Sequence, residues 1–177
     1  MQSAPTTPHS RIVLTGFMGS GKSTVGPLLA ACLGWQFLDA DNVIEADSGL
    51  SIAEIFARDG EAAFRDLEHA TIARLAAIDS LVLALGGGAI ERTETRELLL
   101  AAPGTLLVHL EVRLETTLAR CRGTERIRPI LADRPSLQAR YDRRLPLYRM
   151  AHLSLPVDTV TPDEITQAIL RLVQPAP

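Results

Sequence analysis

The chain has 177 residues, 46% of them apolar and 22% charged, with a net charge of −3 at pH 7. That length suits one domain with a sizeable core, and the mild acidity argues against broad attraction to nucleic acid or anionic membrane. No apolar run is long enough to cross a bilayer, and Cys32, Cys121 and the four histidines form neither a CxxC nor a metal-type cluster.

Both thiols therefore read as small apolar side chains of a reduced, cytoplasmic protein. The first ten residues lack the apolar stretch of a signal peptide and are expected to be a loose tail ahead of one domain over residues 11–174. Arg11–Thr15 reads as a strand. A glycine-rich turn follows, then a helix in which Val25, Leu28, Leu29, Cys32 and Leu33 repeat with the spacing of one buried face. Pro27 removes a hydrogen bond early in that helix and predicts a slight bend. Gln36–Leu38 reads as a short strand that ends on Asp39. Residues 42–77 read as helical throughout, with a capping box at Ser51 and Glu54 and a break at Asp59-Gly60.

Leu81–Leu85 is a continuous apolar run of the kind a central parallel strand carries, and it ends in Gly86-Gly87-Gly88. A helix around Thr93–Ala102 leads through Pro103-Gly104 to a strand at Thr105–Leu110. Leu114–Cys121 is helical, while residues 122–135 are polar, rich in arginine and interrupted by two prolines. Ser136–Met150 is helical again, and Leu153–Val157 is the last strand. Thr161, Pro162 and Glu164 open a final helix with a capping box and a proline at its first position. Strands alternating with helices predict an α/β fold, three αβα layers around a parallel sheet of about five strands. In such folds ligands bind outside the carboxyl ends of the strands.

Gly16-Phe17-Met18-Gly19-Ser20-Gly21-Lys22-Ser23 satisfies GxxxxGK[ST] after a strand and before a helix. Its backbone N–H groups and the helix N-terminus suit phosphate oxygens. Lys22 is the only lysine among eighteen basic residues, in the one kind of loop where a compact ammonium is needed. The loop assigns Gly19, Ser20, Gly21, Lys22, Ser23 and Thr24 to ATP, with the Ser23 hydroxyl on Mg²⁺.

The guanine-reading NKxD motif is absent, which turns the reading from GTPases toward kinases. Asp39-Ala40-Asp41 brings two carboxylates beside the loop, although acids after a strand also serve as turn residues or caps, and Asp41 can cap the helix that follows. Arg65 and Glu68 share a helical face, which spacing alone fits equally to a surface ion pair. The triple glycine allows either close approach of a ligand or a plain tight turn. Between Arg113 and Arg149 ten arginines face four acids. For most of these a solvated helix face is the simpler reading, but residues 122–135 look like a lid that excludes water from transferred phosphate.

In order and spacing, the phosphate loop, Asp39-x-Asp41, Phe64-Arg65-x-x-Glu68, Gly86-Gly87-Gly88, Arg128-Pro129-Ile130-Leu131 and Arg144-Leu145-Pro146-Leu147-Tyr148 resemble the shikimate kinases. The resemblance runs from Arg11 to the last helix. It implies a P-loop kinase fold, with a substrate-binding helical segment over about residues 42–77 and a lid over about 122–135. It also implies transfer of phosphate from ATP, with Mg²⁺, to the 3-hydroxyl of shikimate. Lys22, Asp41 and Arg128 would be the catalytic groups, and Ser23 and Asp39 the metal ligands. Asp41, Arg65, Gly87, Gly88 and Arg144 would hold shikimate, the two arginines on its carboxylate. Arg128 would close on the ATP phosphates, and Arg120 would stack on adenine. Arg143 is next to Arg144, and only the family spacing to Pro146-Leu147-Tyr148 selects the second. The chain reads Asp-Thr-Val-Thr-Pro at 158–162, where the family often has arginine or asparagine, so no purine contact is assigned there. ATP and shikimate are the expected partners of a monomer, with neither nucleic acid nor membrane.

Overall fold

Strands β1 (Arg11–Thr15) and β3 (Leu81–Ala84) bury every residue, which is why β3 reads as an unbroken apolar run. The structure is a computed structural model that describes residues 9–123 and 129–173. Most of the expected tail, and the part of the expected lid that holds Arg128, lie outside the described residues. The remaining strands are β2 (Gln36–Asp39), β4 (Thr105–Glu111) and β5 (Leu153–Pro156). All five are parallel, in the order β2-β3-β1-β4-β5. Only the edge strands β2 and β5 are partly exposed along their length.

Helices flank the sheet. Helix α1 (Lys22–Leu33) lies on β1, β2 and β3 and packs against α7 (Pro162–Val173). Helix α4 (Thr93–Ala101) covers β4 and touches α3 (Ile52–Leu75). Helices α5 (Leu114–Arg120) and α6 (Arg134–Tyr148) complete the set with α2 (Ala40–Ser48). The main core runs through the sheet, while Ile44, Ile55 and Phe64 form a small separate cluster between α2 and α3. Among the described residues no helix is long and apolar enough to cross a membrane.

Register sets the position of everything that follows. Leu14 pairs with Ala84, Ala84 with Asp39, and Leu14 with Val108. The carboxyl ends of β1, β2 and β3 are therefore level, and the loops that leave them emerge side by side.

Four details differ from the sequence expectation. Residues 42–77 are not one helix: Gly49, at φ 68, closes α2, and Ser51 with Glu54 reopens α3 through a full capping box. The expected break at Gly60 is present, as a kink in α3 at φ 83, and is not one of the four. Helix α2 starts at Ala40, because the Asp39 carboxylate accepts the N–H groups of Asp41 (3.0 Å) and Asn42 (3.4 Å). Asp39 is the cap, and the Asp41 side chain is not. The third difference is in α1, whose buried residues are Val25, Gly26, Leu29 and Ala30, with Cys32 exposed. The ring of Phe37 lies so close that a Cβ on Gly26 would be 2.2 Å from it, so small residues, not Cys32, face the sheet. The fourth is α6, which starts two residues early at Arg134, capped by the Asp133 carboxylate on the Ser136 N–H.

The amino end of the sheet is braced by a residue with no chemical signature in sequence. Arg11, 5% exposed, donates to the carbonyls of Ile78 and Pro103, to Thr105 Oγ1 and to Asp79 Oδ1. It ties the entries of β1, β3 and β4 together. Truncation leaves buried acceptors without a donor. Arg11→Met is expected to lower unfolding stability by about 2–4 kcal/mol in urea titration. Both apparent substrate affinities should stay unchanged, because the cleft is at the opposite end of the strands.

Candidate active site

The phosphate loop turns sharply out of β1. Gly21 adopts φ 96 immediately before α1, a conformation that residues with a Cβ rarely take. Helix α5 supports the loop from outside. Thr117 Oγ1 donates to the Met18 carbonyl (3.0 Å), and Arg120 Nη1 donates to the Gly19 carbonyl (3.1 Å). Holding those carbonyls outward leaves N–H groups to face the cleft. Lys22 Nζ donates to the carbonyls of Gly16 (2.7 Å) and Phe17 (3.2 Å) and to Ser20 Oγ (3.3 Å), so the ammonium arches over its own loop.

A cleft of about 630 Å³ opens at the carboxyl ends of the strands. Of the expected residues, Gly19, Ser20, Gly21, Lys22, Ser23, Thr24, Asp39, Asp41, Gly87, Arg120 and Arg144 all line it. Val160, Pro162 and Ile165 add an apolar wall beside Arg120. Gly88 and Arg65 lie outside that lining but meet each other, and Arg128 is outside the described residues.

The triple glycine is a place of close approach. A Cβ on Gly86 would lie 2.6 Å from Asp41 Oδ1, and one on Gly88 would lie 2.4 Å from Arg65 Nη2. A Cβ on Gly87 would come within 3.4 Å of Arg144 Nη1. Three consecutive positions without side chains thus admit three charged groups, one each.

Each arginine is paired with a glutamate. Arg65 Nη1 donates to Glu68 Oε2 at 2.7 Å, with Glu68 only 2% exposed. Arg144 donates through Nε (2.9 Å) to Glu91 Oε2, and its Nη2 lies 2.8 Å from the same oxygen in an ion pair. The Arg144 side chain is 7% exposed and that of Arg143 61%, so the structure separates the two neighbours by burial. Glu91, Tyr148 and Thr117 were not singled out from sequence as site residues. Their partners lie 53, 61 and 99 positions away along the chain, beyond any local pattern.

Burial moves the charges in this site. The Asp41 carboxyl is pushed from an ordinary 3.8 up to about 6, first by desolvation and then by Asp39 and Glu68, with Lys22 and Arg65 pulling the other way. Desolvation also raises Glu68 despite Arg65. At Glu91 burial acts in the same direction, but Arg143 and Arg144 prevail and its carboxyl is lowered. His109, buried and stacked on Tyr148 at 5.1 Å, is pushed down to about 4 by desolvation and is neutral at pH 7.

The donors present fit Mg²⁺. No group of three or more His, Cys, Asp or Glu side chains suited to a metal occurs among the described residues. Mg²⁺ in phosphate-transfer sites needs only one or two hard oxygen donors from protein, the rest coming from phosphate and water. The Ser23 hydroxyl and the Asp39 carboxylate, both on the cleft wall, are such donors.

The model of the family described as "Shikimate kinase" matches residues 18–174 of this chain. A shikimate kinase of Salinibacter ruber is 42% identical over 174 residues, which span 92% of this chain and 84% of that protein. One of Moorella thermoacetica is 46% identical over 149 residues, 83% of this chain and 84% of that protein. Among solved structures, the shikimate kinase from Acinetobacter baumannii in complex with shikimate superposes with a TM-score of 0.82 at 35% identity, covering 93% of both chains. Cleft, fold and sequence point the same way: this chain belongs to the shikimate kinase family.

Proposed function

We propose that this chain transfers the γ-phosphoryl group of ATP to the 3-hydroxyl of shikimate, releasing ADP and shikimate 3-phosphate. One observation carries the reading. A phosphate loop and a buried arginine held by a glutamate face the same cleft, and the Asp41 carboxylate there feels both Lys22 and Arg65. The similar Acinetobacter baumannii enzyme holds shikimate, which supports the choice of acid.

In this reading the ATP phosphates rest on the loop amides and the amino end of α1, with Lys22 on the β- and γ-phosphates. Adenine lies between Arg120 and the Pro162 wall. Ser23 and Asp39 would hold Mg²⁺, which when bound would neutralise charge on the phosphate. Arg65 and Arg144 take the shikimate carboxylate, while the Gly87 and Gly88 turn brings backbone amides to the ring. Asp41 accepts the hydrogen of the attacking hydroxyl. The oxygen bonds to the γ-phosphorus, the bond to the ADP oxygen breaks, and the hydroxyl proton passes to Asp41. With its carboxyl near 6, Asp41 is ionised at neutral pH yet basic enough to receive that proton. Arg128, which lies outside the described residues, would offset the charge in transfer. A carboxylate-free polyol leaves two arginines without their anion, which is the basis of selectivity. A net charge of −3 suits a cytoplasmic enzyme of small molecules.

The test is ADP release by the purified protein with Mg·ATP, with and without shikimate and with gluconate as a second hydroxy acid. Stimulation by shikimate alone is the expected result; stimulation by gluconate alone, or by neither acid, overturns the assignment.

Asp41→Asn separates function from stability. A carboxyl whose folded pKa is raised costs stability above about pH 6, and the cost disappears as pH falls toward 3.8. The variant is expected to lose turnover and yet gain on the order of 1–3 kcal/mol of stability at pH 7.5. The gain should shrink on acidification to pH 5, read as a narrowing difference in Tm. Lower stability than the parent at pH 7.5 would contradict this electrostatic account.

A further inference from the structure

Glu91 sits on a short turn, Ala89–Glu91, that leaves the triple glycine. The turn is fixed from both sides. The Glu91 N–H donates to the Gly88 carbonyl at 3.0 Å, and Arg96 Nη1 donates to the carbonyls of Ile90 (2.8 Å) and Glu91 (2.9 Å). From this stiff base the carboxylate reaches α6 and divides its two oxygens. Oε1 accepts from Arg143 Nε at 2.7 Å, and Oε2 accepts from Arg144 Nε, with Arg144 Nη2 in ion-pair contact at 2.8 Å.

The guanidinium of Arg144 is thereby engaged along its Nε–Nη2 edge. Its Nη1 lies at Gly87, where a Cβ would be 3.4 Å away. The Tyr148 hydroxyl lies beside the same glycine and donates to the Gly87 carbonyl at 2.5 Å. Arg144 is thus held by the Glu91 carboxylate, with Nη1 at the glycine turn. A free arginine carries many rotamers, and each one lost on binding weakens affinity. An arginine fixed beforehand has already lost them.

We infer that Glu91 is a positioning residue for substrate: it holds Arg144 in the one orientation that presents Nη1 to the substrate carboxylate beside Gly87. The inference rests on the proposed role of Arg144 at that carboxylate. Glu91 itself touches no reacting atom. Its effect is confined to the acid, because neither its oxygens nor the turn that carries it lines the phosphate loop.

Steady-state kinetics of Glu91→Ala, Glu91→Gln, Arg143→Ala, Arg144→Ala and the Glu91→Ala/Arg144→Ala pair decide the matter. Glu91→Ala is expected to raise KM for shikimate about 3- to 10-fold while leaving KM for ATP within about twofold. Glu91→Gln, which keeps the shape and one acceptor, should recover part of that loss. Arg143→Ala, which removes the exposed partner of Oε1, should leave both constants unchanged. In the Arg144→Ala background the Glu91 substitution should add nothing, since the group it positions is gone. An equal rise in both backgrounds overturns the inference, as does a fall in Tm with no rise in KM for shikimate. If Arg144→Ala itself leaves KM for shikimate unchanged, the carboxylate role of Arg144 fails first and Glu91 loses its part with it.

Discussion

The level ending of three parallel strands is the constraint on which this molecule depends. Because Leu14, Ala84 and Asp39 share one row of the sheet, the phosphate loop, the triple glycine and the paired aspartates leave it at the same height. Parallel register repeats evenly, so a slip of one residue in β2 or β3 would carry Asp39 or Gly86 away from the loop and turn side chains to the other face. The apolar strands are therefore more than filling. Their burial fixes where polar groups emerge, and Arg11 locks the opposite end of the same strands.

Converging charges then need each other. Asp41 and Glu68 are both raised by burial, and Lys22, Arg65 and Arg144 offset only part of that. Replacing such groups with neutral ones favours folding, which is how a binding site differs from a core. The glutamates make the arrangement workable. Glu68 and Glu91 each neutralise one of the two arginines, which reach neighbouring glycines of one turn. The site is thereby ready for an acid before the acid arrives.

How much of this was readable in the chain depends on how local each requirement is. The phosphate loop was legible because its chemistry needs glycines, lysine and serine at fixed spacing, and the lone Lys22 marks it. The charged turns stood out only through the family resemblance, since spacing alone also fits caps, tight turns and a surface ion pair. Choosing between Arg143 and Arg144 required a family spacing, since adjacent helical residues look alike until burial separates them at 61% and 7% side-chain exposure. The cap at Asp39 was missed because either aspartate could serve, and only the path of the backbone decides. The inward face of α1 was misphased because Gly26 and Ala30 carry little hydrophobic signal, and Phe37, on another strand, is what makes small residues necessary. Glu91 and Tyr148 were invisible as site residues because their partners come from distant segments.

The claim that this site is built by desolvating opposed charges is tested most directly by the ionisation of one atom group. The Asp41 carboxyl carbon, followed by NMR in the ligand-free protein as pH is lowered, should titrate with a midpoint of about 6. In Arg65→Ala, which removes a charge that holds it down, the midpoint should move higher still. A midpoint at or below the ordinary 3.8 would contradict the account, since Asp41 would then be a solvated surface acid and not the buried acceptor described here.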